Sequence, residues 1–201
     1  MSTNLWGNVI CAVDVETTGT LAGWHEIIQI ACIPLDQHFE PHPKYKHFYL
    51  PGIMPDFPGR MDPEAERKHG ISVESLEGCP SQEKASGLFV EWFERLELPF
   101  SKKLAPLAQN WAFEKSFLTH FLGQDGLNAH WHFHARDTMR VGAFINDLYV
   151  FNGRRHPFSR LGLGNLCSKF DIQLDDAHNA LADCLATAKL YAEFLRFLGG
   201  A

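Results

Sequence analysis

The sequence predicts an α/β domain built on a mixed sheet, and three observations carry that prediction. Strand-like runs follow one another directly across residues 8–50. Later runs alternate with segments of helical periodicity. The first run is apolar on both faces, as in a strand covered by helices on each side.

The elements read in order as follows. Asn8 to Glu16 is the first strand, with Val9-Ile10-Cys11-Ala12-Val13 apolar throughout. Ile27 to Ile33 is the second and Tyr45 to Leu50 a weaker third. A loop rich in proline and glycine (Pro51, Gly52, Pro55, Pro58, Gly59) leads to a short helix from Pro63 to His69. From Gln82 to Leu96 the apolar residues Ala85, Leu88, Phe89, Trp92, Phe93 and Leu96 recur at helical spacing. Leu104 to Ala108 is a strand, Trp111 to Leu122 a helix, and Trp131 to Ala135 a fifth strand. Helices from Thr138 and from Arg160 follow. The last helix runs from Asn179 to Leu198, striped by Leu181, Cys184, Leu185, Ala188, Ala192 and Leu195, and Gly199-Gly200 ends it. No repeat or linker divides the chain, so residues 1–201 are expected to be one domain, with no tail beyond the last helix to dock a partner.

Composition narrows the class. Of 201 residues, 45% are apolar and 21% charged, which excludes a disordered tail, a collagen-like repeat and a disulfide-stapled miniprotein. No stretch approaches the ~18 consecutive apolar residues of a membrane span. Met1-Ser2-Thr3-Asn4-Leu5-Trp6 lacks the basic-then-apolar layout of a signal peptide. The five cysteines (Cys11, Cys32, Cys79, Cys167, Cys184) are odd in number and form no Cys-x-x-Cys pair, so buried free thiols in a reducing compartment are expected. A cytoplasmic location follows as an expectation. The 18 basic and 24 acidic residues give a net charge of −6, which argues against coating a duplex through clustered cations. Phosphate chemistry stays open to an acidic protein whose carboxylates hold metal ions.

Several carboxylates stand in awkward places. Asp14 and Glu16, two apart on a strand, face the same way, and like charges held together there need a cation or a shared proton. The turn Thr17-Thr18-Gly19 follows, where backbone can approach a ligand closely. Solvated acids at a strand end are the alternative. Glu114 has Phe117, Leu118 and Phe121 as helical neighbours and so lies on an apolar stripe. With Asn110 as N-cap, a capping-box acid would stand at Phe113 instead, although a dipole-favoured acid near the helix start remains open. Asp183 sits within a helix among Ala180, Ala182, Cys184 and Ala186, an unfavourable place for aspartate unless something approaches closely; an exposed bystander is the alternative. Such carboxylates suit hard divalent cations, and two ions ~4 Å apart clamp both oxygens of an in-line phosphoryl displacement. His178, five residues before Asp183, is the candidate base for water.

These residues resemble the DEDDh branch of the DnaQ-like 3′→5′ exonucleases, which includes polymerase proofreading subunits, ribonuclease T and oligoribonuclease. Asp14-Val15-Glu16-Thr17-Thr18-Gly19 matches the first motif, and Asp62-Pro63-Glu64-Ala65 with His69-Gly70-Ile71 resembles the substrate-contacting segment. Asn110-x-x-Phe113-Glu114-x-x-Phe117-Leu118 resembles the second motif, and His178-Asn179-Ala180-Leu181-Ala182-Asp183 the third. The Tyr branch places its tyrosine where this chain has Asn179, so the His branch is favoured. Two departures stand out: Glu114 replaces the usual Asp, and Gln109-Asn110 the usual His-Asn.

The resemblance implies a ribonuclease H-like fold, a mixed five-stranded sheet flanked by helices. It implies two divalent ions, Mg²⁺ or Mn²⁺, one held by Asp14, Glu16 and Asp183 and the other by Asp14 with Glu114 through water. Asp14, Glu16, Glu114, His178 and Asp183 would be the catalytic set, with His178 taking the proton of the attacking water. Glu64 and His69 would position the strand end, and the backbone at Thr17 and Thr18 would line its sugar and base. The implied partners are 3′ ends of single-stranded DNA or RNA, each losing nucleoside 5′-monophosphates. A homodimer stays open, and no polymerase partner is evident. Proofreading beside a polymerase and a nucleic-acid-binding module with reduced catalysis are the alternative readings. Retention of Asp14, Glu16, His178 and Asp183 favours an enzyme.

Other features are weaker. His130, His132 and His134 alternate along the expected fifth strand, where a shared face would allow a histidine metal site. Leu161-Gly162-Leu163-Gly164 reads as turn or helix packing and lacks the third glycine of a nucleotide loop. Arg154, Arg155, His156 and Arg160 form the densest basic stretch, either a solvated loop or a rail for phosphates. Trp24, Phe57 and Phe158 are candidates for stacking on bases or for capping the core.

Overall fold

Strand β1 (Val9–Thr17) is central, and in this computed structural model every other layer is arranged on it. The structure describes residues 7–98, 102–174 and 176–199; Met1–Trp6 and Gly200, which carried the readings of the N-terminus and of the final glycine stop, lie outside them. β1 pairs antiparallel with β2 (Ile27–Pro34) and parallel with β4 (Leu104–Ala108). β3 (Phe48–Leu50) extends the β2 side antiparallel, and β5 (Arg136–Asp137) the β4 side in parallel. The order β3-β2-β1-β4-β5 is a mixed five-stranded sheet, as expected.

Strand alternation divides the core. Val9, Cys11, Val13 and Val15 pack with Phe89 and Trp92 of α2 (Gln82–Arg95) and Phe117 and Leu118 of α3 (Trp111–His130). Ile10 and Ala12 pack with Ala180, Cys184 and Ala188 of α6 (Ala180–Gly199). Asp14 and Glu16 continue this second set, so β1 turns two acids toward the α6 side of the sheet. α4 (Thr138–Phe151) and α5 (Leu163–Lys169) close a third cluster against α6 around Ile145, Leu166, Leu190 and Phe194. The short α1 (Pro63–His69) starts on an Asp62 cap and stops at Gly70 in the left-handed region. Cys11, Cys32, Cys167 and Cys184 are buried free thiols, and Cys79 is half-buried. No described helix is long and apolar enough to cross a membrane.

Several expectations are corrected. Residues 131–135 are not a strand: Trp131 makes only a single bridge to Leu104, and β5 falls on Arg136–Asp137. His130 lies at the end of α3, because the helix resumes after a break at Gly123 (φ 72°, ψ 160°) rather than stopping at Leu122. The alternating histidines therefore share no strand face, and the His130 ring packs on Phe93 with Nδ1 against the Gly126 carbonyl. β3 begins at Phe48 rather than Tyr45, since Trp92 Nε1 donates to the Lys46 carbonyl (2.8 Å). α5 begins at Leu163 rather than Arg160, with Gly162 as N-cap, so the glycine run is helix packing. Phe158 is no base platform: it is buried against Phe170 and Phe194, with both backbone groups bound to the Asn146 amide.

Candidate active site

The acids converge at the C-terminal end of β1. Between Glu16 and Thr17 the register slips, so that Glu16 pairs with Gln29 and Thr17 with Ile27. Such a bulge re-aims side chains next to a functional site. Ligand atoms of Glu16, His178 and Asp183 lie within 4.8 Å of one another. Glu114, four residues into α3, is buried, with Oε2 lacking any hydrogen-bond partner; Asp183 Oδ1 is likewise buried and unpartnered. The ion pairs of the described residues reach none of these acids.

Their electrostatics follow from that crowding. Burial first, then the charges of Glu114, Glu16 and Asp183, hold the Asp14 carboxyl well above the usual carboxylate range. Burial and Asp183 push Glu16 up to about 8. Burial, with Asp137 and Glu16 adding, pushes Glu114 up to about 8 against a hydrogen bond from its own backbone amide. Burial raises Asp183 to about 6, opposed by the His178 backbone amide and by Lys68. Acids brought together without compensating cations require protons or metal. Two orphaned buried oxygens and an all-oxygen acidic set beside one imidazole fit hard divalent cations. The residues that could hold such cations are Asp14, Glu16, Glu114 and Asp183.

His178 is held by the local chain. Its φ of 68° is left-handed, a conformation unfavourable for a side chain larger than glycine, and it sits just outside α6. Asn179 caps that helix, its Oδ1 accepting from the amides of Leu181 (3.1 Å) and Ala182 (3.4 Å). Burial, then Lys68, lowers the His178 pKa, so the ring is neutral at pH 7 and can accept a proton. His69, also lowered chiefly by burial, feels His178 and faces the Thr17 backbone, which places it beside the cluster. Glu64 is exposed in the first turn of α1, and none of the described hydrogen bonds or ion pairs ties its carboxylate to the acids. Thr17 and Thr18 are buried and build the loop: Thr17 Oγ1 donates to the Gly19 carbonyl (2.6 Å), and Thr18 Oγ1 accepts from Glu26 N (3.0 Å). The Thr18 backbone is also engaged, N to Glu26 O (2.9 Å) and O from Asp62 N (2.7 Å), so Thr18 shapes the site by joining the loop to α1. A Cβ at Gly19 would stand 2.5 Å from the His25 ring and would force that ring to shift.

Three contributors escape a motif reading. Lys68 is the cation that opposes the charge of Asp14, Glu16 and Asp183. Asp137 is buried, capping Arg140 N (3.1 Å) and accepting from Trp111 N (3.1 Å), and so ties the starts of α3 and α4 together. Gln29 is buried beside Glu16; its Oε1 accepts from Ala180 N (2.7 Å) and its Nε2 donates to Pro51 O (3.1 Å). Gln29 thereby pins the start of α6 to the sheet. Gln29→Leu leaves the buried Ala180 amide unpaired, and thermal melts should show a loss of about 2 kcal/mol. Unchanged melting would mean that α6 docks without it. The unusual Gln109 also has a structural reason: Nε2 donates to Leu161 O (2.6 Å) while Oε1 accepts from Thr138 Oγ1 (2.6 Å).

Known proteins share this fold. Exonuclease I of E. coli in a zinc-bound complex with single-stranded DNA superposes with a TM-score of 0.73 at 19% identity, over 96% of this chain and 41% of that one. Its complex with a dT13 oligonucleotide gives 0.71 at 18%, over 96% and 43%. This chain thus spans well under half of exonuclease I. The nuclease domain of 3′hExo, a DEDDh family member bound to rAMP, gives 0.68 at 18%, over 94% and 92%. No curated protein matches the sequence. The family model described as RNase_T: Exonuclease matches residues 11–191, from within β1 to within α6, and the chain therefore belongs to this exonuclease family.

Proposed function

We propose that the protein is a metal-dependent 3′→5′ exonuclease that removes nucleoside 5′-monophosphates from single-stranded or frayed DNA or RNA ends. The observation that carries the proposal is the convergence of Glu16, Asp183 and neutral His178 within 4.8 Å, against unpartnered Asp183 and Glu114 oxygens. Exonuclease I in its zinc-bound form is complexed with single-stranded DNA and the 3′hExo nuclease domain with rAMP, which supports a strand end as the ligand.

Asp14, Glu16 and Asp183 would hold one divalent cation, and Asp14 with Glu114 a second. Bound there, the cations supply charge neutralisation for the phosphodiester and acidify the attacking water. His178 accepts a proton from that water, whose oxygen attacks phosphorus. The P–O3′ bond breaks, the shortened strand departs with its 3′ oxygen protonated, and the nucleotide leaves as its 5′-monophosphate. His69 and Glu64, on α1, position the strand end.

A short 5′-labelled single strand, offered as DNA and as RNA with Mg²⁺, Mn²⁺ or chelator, tests this. A metal-dependent ladder shortening from the 3′ end is expected, and intact strand in every lane overturns the proposal. Glu114 adds its own prediction. Its side chain reaches one methylene beyond aspartate, and a ~1 Å displacement of a catalytic group alters rates by ~10²-fold. Glu114→Asp is therefore expected to change the Mg²⁺-to-Mn²⁺ rate ratio by about tenfold or more; identical rates with both metals would refute that role.

A further inference from the structure

An aromatic sandwich is built from the loop after β1 and the segment that leads into α1. Arg60 lies with its guanidinium carbon 3.9 Å from the Trp24 ring centroid and 3.8 Å from that of Phe57. Both rings are half exposed, at 52% and 51%, which is unusual for side chains of this size with a core available. The assembly is built rather than incidental: Arg60 donates to the Trp24 carbonyl (3.3 Å), and the Glu26 carboxylate accepts from the amides of Asp56 (3.0 Å) and Phe57 (2.9 Å). It borders a cavity of about 240 Å³ whose lining includes His120, Gln82 and Glu83. Arg60 is the lone arginine or lysine among the described lining residues, and the ion pairs of the described residues leave it without a carboxylate. Two hydrogen bonds join this corner to Thr18, two residues beyond Glu16. Glu26 N donates to Thr18 Oγ1, and Asp62 N, two residues after Arg60, donates to Thr18 O.

We infer that Trp24, Arg60 and Phe57 form a second contact site for single-stranded nucleic acid, holding nucleotides 5′ of the one being removed. The identity of the ligand rests on the exonuclease reading above. The chemistry is that of sequence-tolerant strand binding: exposed aromatic faces take bases, and a guanidinium fixed by stacking keeps its remaining N–H groups for phosphate. Glu83 and Asp56, also on the lining, repel phosphate and leave Arg60 as the side on which the backbone passes. The site makes substrate length matter, because a dinucleotide ends before reaching it.

The test compares wild type with Trp24→Ala and Arg60→Gln. Binding of a labelled single strand of about twelve nucleotides is measured by fluorescence anisotropy in chelator, and hydrolysis of a dinucleotide is followed with Mn²⁺. Trp24→Ala should weaken binding of the longer strand about tenfold, the value of one stacked base. Arg60→Gln should reduce the salt slope of binding by about 0.7, that of one phosphate contact on a single strand. Dinucleotide hydrolysis should be unchanged in both, which also reports an intact fold. Unaltered binding of the longer strand, or equal loss with the dinucleotide, overturns the inference. Wild type that binds the strand without shortening it, with variants that bind weakly, would sink the exonuclease reading and keep this site; wild type that neither binds nor cleaves sinks both.

Discussion

Asp14→Asn and Asp183→Asn are each expected to cut hydrolysis of a single-stranded oligonucleotide by about 10³-fold or more, while the metal-free protein stays at least as stable as wild type. The two effects have one cause. Each carboxylate supplies negative charge to a place that already has too much of it, and that excess is what a divalent cation would be held by. Losing about 4 kcal/mol of transition-state stabilisation corresponds to a factor of about 10³. The same substitution removes a like charge from a buried cluster in which Asp14 faces Glu114, Glu16 and Asp183. Steady-state rates with Mn²⁺ and thermal melts in chelator, taken on the same preparations, check both halves. Rates within tenfold of wild type would remove the residue from the site. Collapse of the melting temperature would assign it a structural role.

That coupling explains why the site was legible in the sequence to the extent it was. Glu114 on an apolar stripe and Asp183 among alanines violate local preference, and residues that do so are expected where function overrides folding. Asp14 and Glu16 were readable because strand alternation is a strict period of two. Lys68 and Gln29 break no local rule. Lys68 stands in the basic last turn of α1, as in many helices, and Gln29 in a strand whose ladder says nothing about its side chain. Their roles come from tertiary proximity, 151 residues apart along the chain for Gln29 and Ala180. The same limit explains the false fifth strand. The pattern of Trp131 to Ala135 alternates, but β4 has only one side left to pair, and Arg136–Asp137 takes it because Asp137 caps α4 and anchors α3. Phe158 illustrates the converse: a loop aromatic next to arginines reads like a nucleic-acid contact until α6 is seen to cover it.

The stability of the metal-free protein should fall as pH rises, and divalent cations should reverse the fall. Glu16 and Glu114 both titrate near 8 in the folded chain against ordinary values of 4.5, and Asp183 near 6 against 3.8. A raised carboxyl pKa means that the folded state binds more protons than the unfolded one between the two values. Stability is therefore fully present below about pH 4 and is lost as pH climbs through the folded values. His69 and His178 have lowered pKa values and act in the opposite sense, gaining stability as pH rises through about 6.5. Above about pH 6.5 the loss thus comes from Glu16 and Glu114, with Asp14, also raised, adding in the same sense. Their combined loss is on the order of several kcal/mol, which for a chain of this length lowers the melting temperature by roughly 10 °C. Binding to the folded state at about a hundred times Kd restores ~2.7 kcal/mol. Melts in chelator from pH 5.5 to 8.5, repeated with millimolar Mn²⁺, are expected to diverge only above about pH 6.5. Glu16→Gln should flatten the chelator curve and shrink the metal response together, because one charge causes both. A chelator curve that rises with pH, or a Mn²⁺ response as large at pH 5.5 as at 8, would show that the cluster is compensated from within the protein and has no vacancy of charge for a cation to fill.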